Sequence, residues 1–419
     1  MTSFSITGKT GLDSTKIPEN SIGATKEKCL TEDLAKIAEE FSNIEKFKHK
    51  IVQIIRKEAS LVDFLDYIKY FGIRIKEAGL VNSVIPTNIR GLKIAAVDGS
   101  LVTKKFQGID LIFLKAIVVK YFFKEQYSAE ISYYPDLSGY NNYSIQSNYL
   151  NINEEGIDLT ASLEQKFMEI NQLNKMLKED DSFYDLIVLD GSILVTPINL
   201  LFSKNYKINQ RYNRVLKEYR SLYETCENRG ITLVGSIKDT RTAALANSFI
   251  EIIPMLINNK NLFKELLNYD YREIMAYFSD FDLFSRLLKV GERTCTFRCN
   301  IEIDKVRDTS KKIPQYFPES FYSFYLKSVR FDNPLRIEFY IGNNHSLKEI
   351  SKKADLIASI IYPLSNLNNK YALPIPQIEA HKRSVFQQQE INFIFNSLKA
   401  LLIRKGISLF DKRRNRRPF

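Results

Sequence analysis

With 419 residues, 44% of them hydrophobic and 26% charged, the chain is long enough to bury a substantial core, and its composition excludes wholesale disorder. Lysine and arginine number 60 against 49 aspartates and glutamates, a net charge of +11 that draws the chain toward polyanions, nucleic acid first, although such an excess also serves solubility alone. Four cysteines (Cys29, Cys226, Cys295, Cys299) are too few and too scattered for a disulfide framework, which points to a reducing compartment.

Residues 1–28 are polar and read as a flexible arm without the apolar core of a secretory signal. Over 29–90 a helical extension is expected, because the apolar residues of 31–78 fall at helical spacing. The pattern then changes to strands: "GLKIAAVD" from 91, "DLIFLKAIVVKYFF" at 110–123 and "QYSAEISYYPDL" at 126–137, predicting an antiparallel meander. Lys115 and Lys120 interrupt the most apolar of these well before the ~18 unbroken residues of a membrane span, so no membrane association and a cytoplasmic location are expected.

A helix is predicted over 158–180, with Asp158, Thr160 or Ser162 as its N-cap, followed by the apolar strand "YDLIVLD", which belongs in the centre of a sheet. "RYNRVLKEYRSLYETCENRG" reads as a basic helix closed by Gly230, and "ITLVGSI" as the next strand. Residues 245–290 read as mostly helical. Strands are expected in "TCTFRCNI", "ESFYSFYLKSV" and "PLRIEFYI", then a helix in "KEISKKADLIASIIYPL". A single helix is expected over 377–405, followed by the tail "DKRRNRRPF", whose basic run suits an acidic partner or nucleic acid but equally a solvated end.

Two stretches carry the chemistry. "AVDGS" at 96–100 and "LDGS" at 189–192 each end an apolar run on a carboxylate. An aspartate opening a turn explains either one alone. Two copies suggest a use: strand-borne carboxylates hold hard divalent ions, and a following glycine lets the chain turn away so that metal and substrate approach. Two ions ~3.5 to 4 Å apart would activate a water and neutralise the charge that develops on a phosphodiester under attack. The helix before Asp190 is expected to return antiparallel to its strand and supply a third carboxylate. At ~1.5 Å per helical and ~3.3 Å per strand residue, the matching depth is Gln165, which favours Glu164 over Glu169 one turn deeper.

"PQIEAHKRSVF" at 376–386 sets His381, Lys382 and Arg383 on a helix, suited to a phosphate or an attacking water, or else to an ordinary solvated face. "GSIKDTRT" puts Lys238 and Arg241 beyond a strand, suited to phosphate contact or to a plain surface loop. No G-x-x-x-x-G-K-[ST] stretch occurs, so any ATP use must come from a partner.

The ordered set "AVDGS", a glutamate-bearing helix, "IVLDGS", "VGSIKDTRT", "PLRIEFY" and P-x-P-x-x-x-A-H-K-R resembles the NurA nuclease family over about residues 91–390. The resemblance implies an α/β, RNase H-like mixed central sheet flanked by helices, here with an N-terminal helical extension. It makes 91–400 a NurA-like nuclease domain and leaves 401–419 as a basic C-terminal tail. It further implies a manganese-dependent deoxyribonuclease, with magnesium as the alternative ion, that forms a homodimer and works beside a HerA-type hexameric ATPase. Its catalytic set would be Asp98, Glu164 or Glu169, Asp190 and His381, with Tyr371 standing in for a family tyrosine whose position is here Leu373. A non-catalytic DNA clamp or adaptor for a translocase is the competing reading.

Overall fold

The computed structural model describes residues 19–65, 75–106, 109–124, 128–137, 142–148, 154–195, 200, 203–238, 242–298, 321–342, 345–367 and 370–407. The chain divides into two compact units, 1–51 and 52–419. The described part of the first is helical: α1 runs from Glu19 to Glu58, beginning inside the stretch expected to be a flexible arm and ending within the second unit. Residues 1–18 and 408–419, with most of the arm and the basic tail, lie outside the described residues.

The second unit is built on one mixed sheet of eleven strands among the described residues. In chain order these are β1 (Val81–Ser83), β2 (Lys93–Lys105), β3 (Asp110–Phe123), β4 (Ala129–Tyr134), β5 (Tyr143–Asn148), β6 (Leu186–Asp190), β7 (Thr232–Ile237), β8 (Glu292–Thr294), β9 (Phe297–Arg298), β10 (Phe321–Lys327) and β11 (Leu335–Tyr340). The helices of this unit are α2 (Glu154–Glu179), α3 (Tyr206–Arg229), α4 (Ala244–Lys260), α5 (Tyr271–Ala276), α6 (Asp280–Leu287), α7 (Leu347–Ser365), α8 (Ile375–Ser384) and α9 (Gln388–Arg404). Strand order is β1-β8-β10-β11-β7-β6-β2-β3-β4, with β5 also on β3 and β9 on β10. The antiparallel meander β2-β3-β4 is present as expected. β6 lies between β2 and β7, parallel to both. This is the mixed central sheet flanked by helices that was expected.

The two faces of β2, β6 and β7 alternate as a strand period of two requires. Ala95, Val97, Ile187, Leu189 and Leu233 pack with Leu173, Leu177, Tyr212 and Leu216 of α2 and α3. Ile94, Ala96, Leu186, Val188 and Val234 pack with Ile357, Ile361 and Leu364 of α7 and Ala380 of α8. The inner strands are therefore apolar on both faces, which is why "LIVLD" carries no polar alternation.

Four expectations need correction. The extension over 29–90 is not helical throughout, since α1 stops at Glu58, a 3-10 turn follows at Ala59–Leu61, and β1 joins the sheet beside β8. β2 does not end at Asp98 but continues to Lys105, paired with β3 along its whole length. The 158–180 helix starts at Glu154, so Asp158, Thr160 and Ser162 lie within it and none is its cap. The single C-terminal helix is two, α8 and α9, parted at residues 385–387 where Phe386 turns into a cluster with Phe106 and Phe113.

Away from the sheet centre, Asp280 at the start of α6 is almost fully enclosed, accepting from the Ala246 amide (2.9 Å) and the Tyr325 hydroxyl (3.2 Å). Burial outweighs both bonds and pushes its carboxyl up to about 6. The folded state then holds this proton more tightly than the unfolded chain, so the stability it contributes is complete below about pH 4 and is lost as pH rises through about 6. The difference amounts to about 3 kcal/mol at most. Asp280→Asn is expected to flatten the fall in unfolding free energy between those pH values. Urea titrations that return the same slope for wild type and variant would refute this.

Candidate metal centre

β2 and β6 run side by side and parallel with Val97 opposite Leu189, so the next residue on each, Asp98 and Asp190, comes level on neighbouring strands ~4.8 Å apart. Each lies two positions beyond a residue packed toward α7 and α8 (Ala96, Val188), and each carboxylate accordingly meets α8. That helix presents Gln377, His381 and Ser384, spaced by four and three, on one face. Gln377 Nε2 donates to Asp190 Oδ1 at 2.9 Å, and Ser384 Oγ to Asp98 Oδ2 at 2.8 Å. His381 Nδ1 is 2.9 Å from the same Asp98 oxygen. Because a carboxylate only accepts, this contact puts the imidazole proton on Nδ1 and leaves the Nε2 lone pair available on a half-exposed ring.

Ligand atoms of Asp98, Asp190 and His381 all lie within 4.8 Å of one another, the one such grouping among the described residues. The donors suit a divalent cation. Two carboxylates and an imidazole are a set that manganese accepts readily and magnesium accepts in part. Beside them, Gln377 is wholly buried and its Oε1 has no hydrogen-bond partner, so an acceptor oxygen remains to be satisfied at the same place.

A third buried carboxylate, Glu169 of α2, stands on the opposite face of β2 beside Gly99, outside the Asp98–Asp190–His381 grouping. Gly99 stands where β2 would point a side chain at α2, and a Cβ there would lie 2.7 Å from Glu169 Oε1 and 2.8 Å from its Cγ. The glycine is thus required for close approach, not for a turn. Gln165 bridges the two elements, its Nε2 donating to Gly99 O (2.8 Å) and Glu169 Oε1 (2.9 Å). Lys166 Nζ donates to Glu169 Oε2 (2.8 Å) and to the Asp190 carbonyl (3.1 Å). Burial pushes the Glu169 carboxyl up and the Asp98 charge adds to the push, with Lys166 opposing. For Lys166, burial favours the neutral amine, yet the adjoining Glu169 carboxylate more than compensates and keeps the ammonium form.

After Asp190 the chain does turn, at Gly191 with φ +99°. The Gly191 amide donates to Ser236 O on β7 at 2.9 Å, and two residues on Lys238 Nζ donates to Asp190 Oδ2 at 3.0 Å. Lys238 therefore sits on a carboxylate of the centre. Arg241 lies outside the described residues.

Other candidates are elsewhere. Glu164, also buried, turns toward α3, where its oxygens accept from Arg211 Nε (3.1 Å), Arg214 Nη2 (2.6 Å) and Gln146 Nε2 (3.0 Å). Arg383 is exposed and engaged with Glu379 (2.8 Å) and the face of Tyr133. Lys382 is likewise exposed on α8. Tyr371 is 43% exposed on the loop before α8, and no hydrogen bond joins it to the three carboxylates among the described residues, whereas Leu373 is buried in the core. Sequence reasoning missed Gln165, Lys166, Gln377 and Ser384. The last two share a helical face with His381, a spacing that could have revealed them.

The model of the NurA domain matches residues 92–376, about two thirds of the chain. The chain belongs to the NurA family. It is thereby a member of a nuclease family. Among solved structures it is similar to the NurA nuclease from Sulfolobus solfataricus, at 14% identity over 88% of this chain and 98% of that one, with a TM-score of 0.49. A structure of NurA bound to dAMP and manganese is 12% identical over 84% of this chain and 95% of the other, at a TM-score of 0.33. The endonuclease V of Bacillus subtilis is 11% identical over 76% and 88%, at 0.29. Among curated proteins, none matches the sequence. No described helix is long and apolar enough to cross a membrane.

Proposed function

We propose that the protein is a manganese-dependent deoxyribonuclease, with magnesium as the alternative ion, in which Asp98, Asp190 and Glu169 hold a two-ion centre. The observation that carries this reading is the convergence of Asp98, Asp190 and His381 ligand atoms within 4.8 Å from three distant segments. Membership of a nuclease family supports the choice of phosphodiester as substrate. When bound, the ions supply an activated water and neutralise charge on the phosphate under attack.

The protein's own side chains do the remaining work. Asp98 orients His381 through Nδ1, which would leave Nε2 to accept a proton from the attacking water or to help hold the ion. Ser384 and Gln377 fix the rotamers of the two aspartates, and Lys166 holds Glu169 at the sheet end. Lys238 contributes positive charge at Asp190, from which it can pass to a product phosphate. Lys382 and Arg383 add exposed charge on the same helix, with Tyr371 as a further contact on the loop before it; Arg241 keeps the phosphate-binding role its sequence context suggests.

The activity comprises endonucleolytic cleavage of single-stranded DNA and 5′-3′ exonucleolytic trimming of DNA ends. It operates in the cytoplasm as a homodimer beside a HerA-type hexameric ATPase, in end processing, repair or defence. Calorimetric titration of manganese tests the centre: Glu169→Gln is expected to weaken binding at least ~10-fold, by analogy with the loss of a supporting metal ligand, and Glu164→Gln to leave it unchanged. Equal effects of the two variants would reject the assignment. Absence of any manganese heat from wild type, with DNA binding retained, would instead favour the clamp.

A further inference from the structure

We propose that the cleft between β5 and α3 is the track along which a single nucleic-acid strand approaches the metal centre, an inference that rests on the nuclease reading above. Lys207, Arg211, Arg214 and Lys217 recur on α3 at intervals of four, three and three, forming one basic face ~15 Å long. All four line a cleft of about 910 Å³ whose opposite wall includes Gln146 of β5. Such a space is of the size of a few nucleotides of one strand.

The floor of the cleft is organised before any ligand arrives. Glu164 is the one acidic residue among the described residues lining it, and it clamps Arg211 and Arg214 together from α2. Arg214 also lies 3.6 Å above the centre of the Phe167 ring, so both guanidinium groups are held with little freedom left to lose. Against four cations one carboxylate leaves a clear positive excess. Among the described residues, Nη1 of Arg211 is buried and finds no acceptor, a deficit that a phosphate oxygen entering the floor would remove. At the N-terminal end of α3, Tyr206 is 74% exposed and offers a ring for a base to stack on.

The cleft and the Asp98 end of β2 are linked by α2, since Glu164 faces the groove and Glu169, five residues or ~7.5 Å further along the same helix, stands against Gly99, the neighbour of Asp98. A strand held by a phosphate on Arg214 would run past the end of β2 to bring a later linkage to Asp98 and Asp190, whose carboxylates meet α8 on the other face of the sheet. The role of Glu164 follows: it positions the arginines of the track and is not itself a metal ligand.

Lys207 and Lys217 are exposed and outside the Glu164–Arg211–Arg214 cluster, so their removal tests the track without disturbing that cluster. Binding of a fluorescein-labelled oligothymidylate to the full chain is measured by anisotropy in EDTA across a salt series, where neither metal nor cleavage contributes. The Lys207→Ala/Lys217→Ala protein is expected to bind roughly tenfold more weakly, with the slope of log affinity against log salt reduced by about 1.4 for two lost phosphate contacts. Lys348→Ala/Lys352→Ala on α7, which removes the same charge elsewhere, should leave both unchanged. Equal losses in the two double variants, or none in either, would overturn the proposal. So would an equal loss of affinity for a blunt duplex of the same length. Because no cleavage is read, the track fails or stands separately from the nuclease assignment.

Discussion

Replacing Asp98 or Asp190 by asparagine is expected to lower manganese-dependent DNA cleavage by at least ~10³-fold while the fold persists. A divalent ion supplies several kcal/mol of transition-state stabilisation, and each ~1.4 kcal/mol is a factor of ten in rate. Asparagine keeps the shape of the side chain and one acceptor oxygen, so Ser384 can still donate to position 98 and Gln377 to position 190. What it removes is the charge that a hard cation requires. The two losses should not add, because either variant disables the same centre. End-labelled oligonucleotide cleavage, with circular dichroism and thermal unfolding to verify the fold, is the measurement. Either variant retaining more than a tenth of wild-type cleavage would remove that aspartate from the centre.

Gly235→Ala should be the most damaging methyl group in the sheet, destabilising the protein by about 3 kcal/mol and disabling cleavage beyond the fraction unfolded. A Cβ at this position would stand 2.5 Å from the Gly191 carbonyl oxygen and 2.8 Å from the Ile193 amide nitrogen. Those are backbone atoms of the turn that follows Asp190, and no rotamer change relieves them. The turn is also tied to β7 by the Gly191 amide on Ser236 O, so the strain falls on the peptide that orients the carboxylate. At Gly99, by contrast, the obstructing group is the Glu169 side chain, and an alanine there should act mainly by pushing that carboxylate off the sheet end. Thermal unfolding near the wild-type temperature together with undiminished cleavage in Gly235→Ala would contradict this account.

Much of the architecture was legible because strand and helix periods are local. "DLIFLKAIVVKYFF" became β3 at the residues quoted, and Gly230 closed α3 as its left-handed cap. The pairing of Asp98 with Asp190 was also foreseeable, since two apolar runs ending in the same triplet invite adjacent burial. What sequence could not disclose were the approaches between layers. Gly99 looked like a turn residue because it follows an aspartate, yet β3 pairs with β2 past it and α2 occupies the space its side chain would need. Counting residues along a helix and a strand located the correct depth, Gln165, but not the rotation of α2. A helix turns about 100° per residue, so neighbouring glutamates at similar depth face different partners. Glu164 went to the arginines of α3, and Glu169 to the sheet. The break between α8 and α9 was hidden for a related reason: no glycine or proline marks it, and Phe386 leaves the helix for a cluster contributed by distant strands.

His381 is separated from its partner Asp98 by 283 positions. A chain emerging from the ribosome therefore carries both aspartates long before the residues that orient them exist, and the proposed centre stays incomplete until α8 has been made.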